Sequence, residues 1–345
     1  VVVAIPVHNE EAHLGTCLAA LARQSVQPDH ILLFLNNCTD RSAEIARAAG
    51  RPVRPMEVVL PAWLASAGEA RRLALAEAAS LAGPAGIILT TDADCEPAPC
   101  WIARNLREIA RGADAVCGTA RILPDPGHAI SGGLHFDLAR EAHYAALLDE
   151  IVVLVDPDPA DPWPRHQQHS GASIAMTAAI LHKAGGAPRV ASGEDRALIE
   201  RFRLVDAAIR HAPEIEVAVS GRLRGRAAGG MAQTLHRRAH RLDDAADDAL
   251  EPAVDAYRRV LARARLRAAR RNSGDAAALA RDLLITPEAL HAPAFGAAWA
   301  QVQRLSPVLH RRRVRFVDLA RETRQAIALR DLAALSLAPV AADAS

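Results

Sequence analysis

Aromatic residues make up only 3% of the 345-residue chain, so its core must be built from aliphatic side chains. Lysine is nearly absent: Lys183 is the only one, and arginine carries the basic charge. Charge of one sign is lacking too, since 41 basic and 40 acidic residues leave a net charge of +1. Such a balance gives no global field for a polyanion and argues against a nucleic-acid partner. The five cysteines, Cys17, Cys38, Cys95, Cys100 and Cys117, are odd in number and contain no Cys-x-x-Cys pair. This disfavours a zinc site and a disulfide framework, and a reducing cytoplasm is the expected compartment. No apolar stretch reaches the ~18 residues of a membrane span. The longest candidate, Ile151 to Val155, is cut off by Asp156-Pro157. No integral membrane segment and no signal peptide are therefore expected, while peripheral membrane contact and a homodimer stay open. Gly-x-Ser-x-Gly is missing, as is Gly-x-Gly-x-x-Gly after the first strand, which removes the sequence support for a serine hydrolase or a dinucleotide enzyme.

What is present begins with a chain that is 50% hydrophobic, enough for a sizeable core. Val1 to Ile5, Ile31 to Leu35, Glu57 to Leu60 and Gly86 to Thr91 read as strands. Between them, Leu14, Cys17, Leu18 and Leu21 form one helical stripe, and 42–49 and 68–82 read as further helices. Asn9 is placed to cap the first helix, with Glu10 and Glu11 at its positive end. Strand and helix alternate as in a parallel α/β sheet. Further strands are expected at 113–118, 171–176 and 215–220, and helices at 137–150 and 196–202. Residues 156–164, rich in Pro and Asp, read as a loop near the site. Beyond Met231 the chain is Ala-, Leu- and Arg-rich and helical in character. A boundary is expected near 230, giving 1–230 and 231–345. Seven arginines lie between Arg258 and Arg271, and with Asp243, Asp244, Asp247 and Asp248 upstream they read as an internally paired helical region.

Ligands of such sheets bind at the carboxyl ends of the strands. Polar clusters fall at three of these ends: His8-Asn9-Glu10, Asn36-Asn37 and Asp92-Ala93-Asp94. Asp92 and Asp94, at i and i+2, leave their strand on one side. Together they suit one hard cation, which could in turn hold a diphosphate; a solvated acidic turn is the bland alternative.

With their order and spacing, these segments make the chain resemble family 2 glycosyltransferases, nucleotide-sugar-dependent enzymes of the GT-A fold. The resemblance runs over about residues 1–230. Val3 to Glu11, with Pro6, His8, Asn9 and Glu10, is similar to the family's opening strand and Pro-x-x-Asn-Glu turn. Asn36 to Ser42 is similar to its second-strand segment, and Asp92-Ala93-Asp94 matches its Asp-x-Asp. Gly171-Ala172-Ser173 and Gly193-Glu194-Asp195 resemble its acceptor-side elements. The implied fold is a Rossmann-like, mostly parallel sheet flanked by helices, here with a C-terminal helical extension. The implied reaction is inverting sugar transfer from a nucleoside-diphosphate sugar to an acceptor hydroxyl. Mg²⁺ or Mn²⁺ would sit on Asp94, with Asp92 on the ribose or nearby, and Asp195 would be the general base with Glu194 as neighbour or substitute. Arg222, Arg224 and Arg226, on a loop with Gly221 and Gly225, suit a diphosphate. Asn36 and Asn37 stand where the family usually has an Asp, and an amide could bond a base edge. The Gln-x-x-Arg-Trp motif of processive synthases is absent. Other readings are a GT-A-like nucleotidyltransferase, disfavoured by Pro6 to Glu10 after the first strand, and a scaffold that binds nucleotide without turnover. His169 could line the acceptor side, and Trp63 and Trp163 could stack on a sugar or base, although core packing is the commoner use.

Overall fold

The chain forms two compact units, residues 1–130 with 168–240, and residues 131–167 with 241–345. The computed structural model describes residues 1–123, 132–222, 225, 231–240, 244–271 and 274–337. In chain order the first unit opens with β1 (Val2–Val7), α1 (Leu14–Ala22), β2 (His30–Asn36), α2 (Ser42–Ala48), β3 (Val53–Val58), α3 (Ala67–Ala82), β4 (Ile87–Thr90), β5 (Cys95–Pro97), α4 (Trp101–Ala110) and β6 (Ala115–Leu123). The second unit then contributes α5 (Gly132–Val155). The first unit resumes with β7 (Ile174–Thr177), α6 (Ala178–Lys183), α7 (Glu194–Leu204), β8 (Ile209–Ser220) and α8 (Met231–Ala239). The remaining helices, α9 (Ala253–Arg270), α10 (Ala276–Asp282), α11 (Phe295–Leu305) and α12 (Leu319–Leu337), belong to the second unit.

The strands form one sheet in the order β3-β2-β1-β4-β7-β6-β8-β5. β3, β2, β1 and β4 run parallel, as do β6 and β8, whereas β7 and β5 are antiparallel to their neighbours. The α/β, mostly parallel reading of the sequence is the observed fold class. Alternate residues of each strand enter different cores. Val3, Ile5 and Val7 join Ile31, Leu33 and Leu35 under α1 and α4. Val2 and Ala4 join Leu32 and Phe34 under α3, α6 and α7. Both faces are covered, which is why these strands are continuous apolar runs rather than alternating ones.

Several boundaries differ from the sequence reading. The third strand spans Val53–Val58 rather than 57–60, because Pro55 is tolerated in an edge strand whose middle is exposed. The strand ending at Ser220 starts at Ile209, β6 continues to Leu123, and α5 extends beyond 137–150 at both ends. Asn9 does not cap α1, whose N-cap is His13. In the second unit, Tyr144, Leu147, Leu148 and Ile151 of α5 pack with residues of α9 and α12 in one core. Leu266 of α9 packs with residues of α10 and α11 in another. Asp156, in the Pro/Asp-rich segment, is buried in this unit against Arg263 and Arg267. No helix among the described residues is long and apolar enough to cross a membrane.

Candidate active site

Helix α3 brings a buried arginine to the carboxyl end of β4. Gly68, Arg71, Ala74, Leu75 and Ala78 lie on its buried side, and Ser66 caps it by accepting from the Glu69 amide. Arg71 is 5% exposed and spends its fork on four partners. Its Nε donates to Glu194 Oε1 at 3.0 Å, and its Nη1 donates to Thr90 Oγ1 at 2.7 Å and to the Gly171 carbonyl at 3.2 Å. Its Nη2 donates to Asp92 Oδ1. One guanidinium therefore ties the Asp-x-Asp turn to the Gly171 and Glu194 segments, which lie 100 and 123 residues from Arg71 in sequence. Gly171 is required there: a Cβ would stand 2.6 Å from Arg71 Nη2. The sequence reading missed Arg71. The signal was an arginine at i, followed by apolar residues at i+3, i+4 and i+7 of a helix.

A second arginine serves the other carboxylate. Arg222, just beyond β8, grips Glu10 bidentately, Nη1 to Oε2 at 2.9 Å and Nη2 to Oε1 at 2.8 Å. The same Nη2 lies 3.0 Å from Asp94 Oδ2. Glu10 is positioned by its own amide, which donates to Ser42 Oγ at 2.8 Å. Burial and the neighbouring charge of Asp92 push the Asp94 carboxyl up from its ordinary value, against the pull of Arg222. Arg224 and Arg226 lie outside the described residues.

Asp195 and Glu194 occupy the first turn of α7, after Gly193 in the left-handed region at φ 69°. Asp195 Oδ2 accepts from the Gly171 amide at 3.0 Å and Oδ1 from the Arg196 amide at 2.7 Å. Burial raises its pKa, and the charge of Glu194 adds to this, while the two amides and Arg71 oppose it. Glu194 is held by Arg71, so the two acids of the pair have different partners. His169, next to Ser170-Gly171, has Nε2 3.0 Å from His211 Nε2 and 3.0 Å from Arg203 Nη2.

The remaining strand-end residues are mostly occupied with holding the loops together. Pro6 pairs with Phe34 of β2, past the point where β1 pairs with β4. His8 Nδ1 lies 2.8 Å from the Asn36 carbonyl. Asn9, at φ 55°, accepts from the Thr39 amide at 2.7 Å. Asn36 is buried at the end of β2. Asn37, at φ 51°, uses both ends of its amide on Leu60: Nδ2 donates to the carbonyl at 2.8 Å and Oδ1 accepts from the amide at 3.0 Å. The structure thus brings Glu10, Asp92, Asp94 and Arg222 into one group and Asp92, Glu194 and Asp195 around Arg71. Trp63 is 81% exposed on the segment between Leu60 and α3. Trp163 belongs to the second unit.

Oxygens of Asp92 and Asp94 and the sulfur of Cys95 lie within 4.8 Å of one another. Burial lifts the Cys95 thiol far above its ordinary value, which disfavours the thiolate. The donor set therefore presents oxygens, which suit Mg²⁺ or Mn²⁺. The half-buried Asp94 carboxyl, with its pKa raised, also gains from an added positive charge.

A mixed α/β sheet with acids at the end of its fourth strand and an acid pair opening a later helix is the architecture expected of the GT-A fold. Residues 2–154 match the model of Glycosyl transferase family 2. No curated protein matches it. Among solved structures the chain is similar to S. aureus TarS, at 16% identity and a TM-score of 0.47, covering 77% of this chain and 43% of that one. It is similar to S. aureus TarS 1–349 in complex with UDP-GlcNAc, at 15% identity and a TM-score of 0.49, covering 97% of this chain and 91% of that one. It is also similar to glucosyl-3-phosphoglycerate synthase from Mycobacterium tuberculosis in complex with Mn²⁺, UDP-Glc and phosphoglyceric acid. There the identity is 19% and the TM-score 0.42, over 72% of this chain and 81% of that one. The chain spans less than half the length of the first of these structures.

Proposed function

We propose that the chain transfers a sugar from a nucleoside-diphosphate sugar to an acceptor hydroxyl, with inversion and with a divalent cation at Asp94. The observation that carries this reading is the Arg71 hub, which holds the Asp-x-Asp turn and the Glu194-Asp195 turn on one side chain. Donor-side and acceptor-side acids are thereby fixed relative to each other, as a direct displacement requires.

A cation at Asp94 would supply positive charge where the leaving diphosphate gathers negative charge. Asp195 acts as base: one carboxylate oxygen takes the acceptor hydroxyl proton as the hydroxyl oxygen bonds to the anomeric carbon and the bond from that carbon to the diphosphate oxygen breaks. Its raised pKa suits a general base, since a carboxylate with greater proton affinity accepts a proton more readily. Attack from the face opposite the leaving diphosphate inverts the anomeric carbon. Glu194 and Arg71 are positioning residues, and Arg222 is the candidate diphosphate cation. A nucleotidyltransferase reading gains no support, because Pro6 to Glu10 replace a Gly-rich loop after β1.

The test is calorimetric titration of the purified chain with UDP, GDP and other nucleoside diphosphates, with Mn²⁺ and with chelator. Metal-dependent binding of one nucleotide is expected. Asp94→Ala should lose that binding, whereas Asp195→Asn should keep it and lose transfer by 10²-fold or more, the upper range being about 10⁴. Unchanged turnover in both variants would sink the mechanism.

A further inference from the structure

We propose that Arg222 and the divalent cation compete for Asp94, and that the donor's diphosphate resolves the competition by offering Arg222 a second anion. The inference rests on the donor reading above but concerns what this chain does before donor arrives. Arg222 Nη2 stands 2.8 Å from Glu10 Oε1 and 3.0 Å from Asp94 Oδ2, so a single nitrogen bridges the two acids. A cation on the same Asp94 oxygen would meet that nitrogen at close range and be repelled. The two cannot share that oxygen.

The two arginines of the site are unequal in this respect. Arg71 is buried by four partners and is tied to Asp92. The Arg222 side chain is 21% exposed and lies just beyond a strand end. Its backbone is less able to move, because Gly221 packs so tightly that a Cβ would stand 2.2 Å from the Leu123 carbonyl. The exchange therefore falls to the side chain, with Glu10 as its tether. A guanidinium that turns from a carboxylate to a diphosphate keeps its charge-assisted bonds.

The consequence is thermodynamic coupling. While Arg222 sits on Asp94, the cation binds only the fraction of molecules in which that pair is open, and its apparent affinity falls accordingly. Diphosphate captures Arg222, opens Asp94 and raises cation affinity. By linkage, the cation raises diphosphate affinity by the same factor. The chain would thus bind little metal until donor is present.

The test reads free Mn²⁺ by its electron paramagnetic resonance signal, in wild type, R222Q and R222K, first with Mn²⁺ alone and then with saturating UDP or GDP. R222Q should bind Mn²⁺ alone about tenfold tighter and the nucleoside diphosphate about tenfold more weakly, a change of about 1.4 kcal/mol in each direction. The opposite signs mark a shared group; a purely structural role would weaken both. R222K, which keeps the charge without the fork, should bind Mn²⁺ with intermediate affinity. Mn²⁺ affinity in R222Q equal to or below wild type overturns the proposal, as does R222K matching R222Q. Failure of wild type to bind any nucleoside diphosphate would sink the donor reading instead, while the Mn²⁺ comparison still decides the competition at Asp94.

Discussion

Arg71 shows how much a single side chain can organise. Its four bonds reach a helix turn, a strand end, a loop carbonyl and the turn after β4. Lysine offers the same charge from a point with three donors and cannot reproduce that fork. Arg71→Lys is expected to lower kcat/KM by about 10²-fold, the scale on which small misplacements act, and to lower stability by about 1–3 kcal/mol as the partly exposed Asp92 and Glu194 carboxylates lose charge-assisted bonds. A variant with wild-type kinetics would show that the hub does not position the acids. Asp195 supports a second expectation. Its pKa is raised by burial, so the acid limb of kcat should have its midpoint above the ordinary Asp value, with activity lost as pH falls through it. A limb at or below that value would remove Asp195 as base. Asp92, Asp94, Glu194 and Asp195 stand out in the sequence as candidates because each lies in a short motif beside a recognisable element. The Glu10–Arg222 pair does not: 212 residues separate its members, and nothing local in either marks the other. Asn37 was legible as polar but not in its role, since an amide that could read a base edge serves equally to bridge Leu60.

Elements were legible where burial on both faces left a continuous apolar run, as in β1, β2 and β4. They were less legible at edges. β3 contains Pro55 and four exposed residues, a pattern that local reading assigns to a loop. Helix α3 was read at nearly its full length from its Ala and Leu, yet its register depends on a backbone contact that only the structure reveals. At Gly68 a Cβ would stand 1.9 Å from the Val190 carbonyl, so the N-terminal turn of α3 lies against the chain that leads into α7. Gly68→Ala must push the two apart. Overpacking of this kind costs about 1–3 kcal/mol. Because α3 carries Arg71 and α7 carries Glu194, the same push should lengthen the Arg71–Glu194 contact and reduce turnover more than nucleotide binding. Chemical denaturation together with a separate reading of kcat and nucleotide Kd checks this, and a Gly68→Ala protein of unchanged stability would contradict the packing.

At the scale of the whole molecule, the helical unit is the part that sequence motifs did not explain. Its arginines read as internally paired, and among the described residues Arg263 and Arg267 share Asp156, while Arg259 grips Glu251. Nothing local in α5 marks it as a partner of α9 and α12, because an apolar helical face does not name the face it meets. The ion pairs in this unit are not all equivalent. Asp149 is 2% exposed beside Arg165, and burial outweighs that pairing, pushing its pKa up to about 6 from 3.8. The sign follows from linkage. Between those values the folded chain holds a proton that the unfolded chain has released, so stability from this group is present in acid and declines as pH rises through about 6. Asn at the same position does not titrate. The stability of wild type relative to Asp149→Asn should therefore fall by about 2–3 kcal/mol between pH 4 and pH 7 and stay flat above that. Urea denaturation of both proteins across that range measures it. If wild type instead gains on Asp149→Asn as pH rises, the attraction of Arg165 exceeds the penalty of burial and the carboxylate is a stabilising charge.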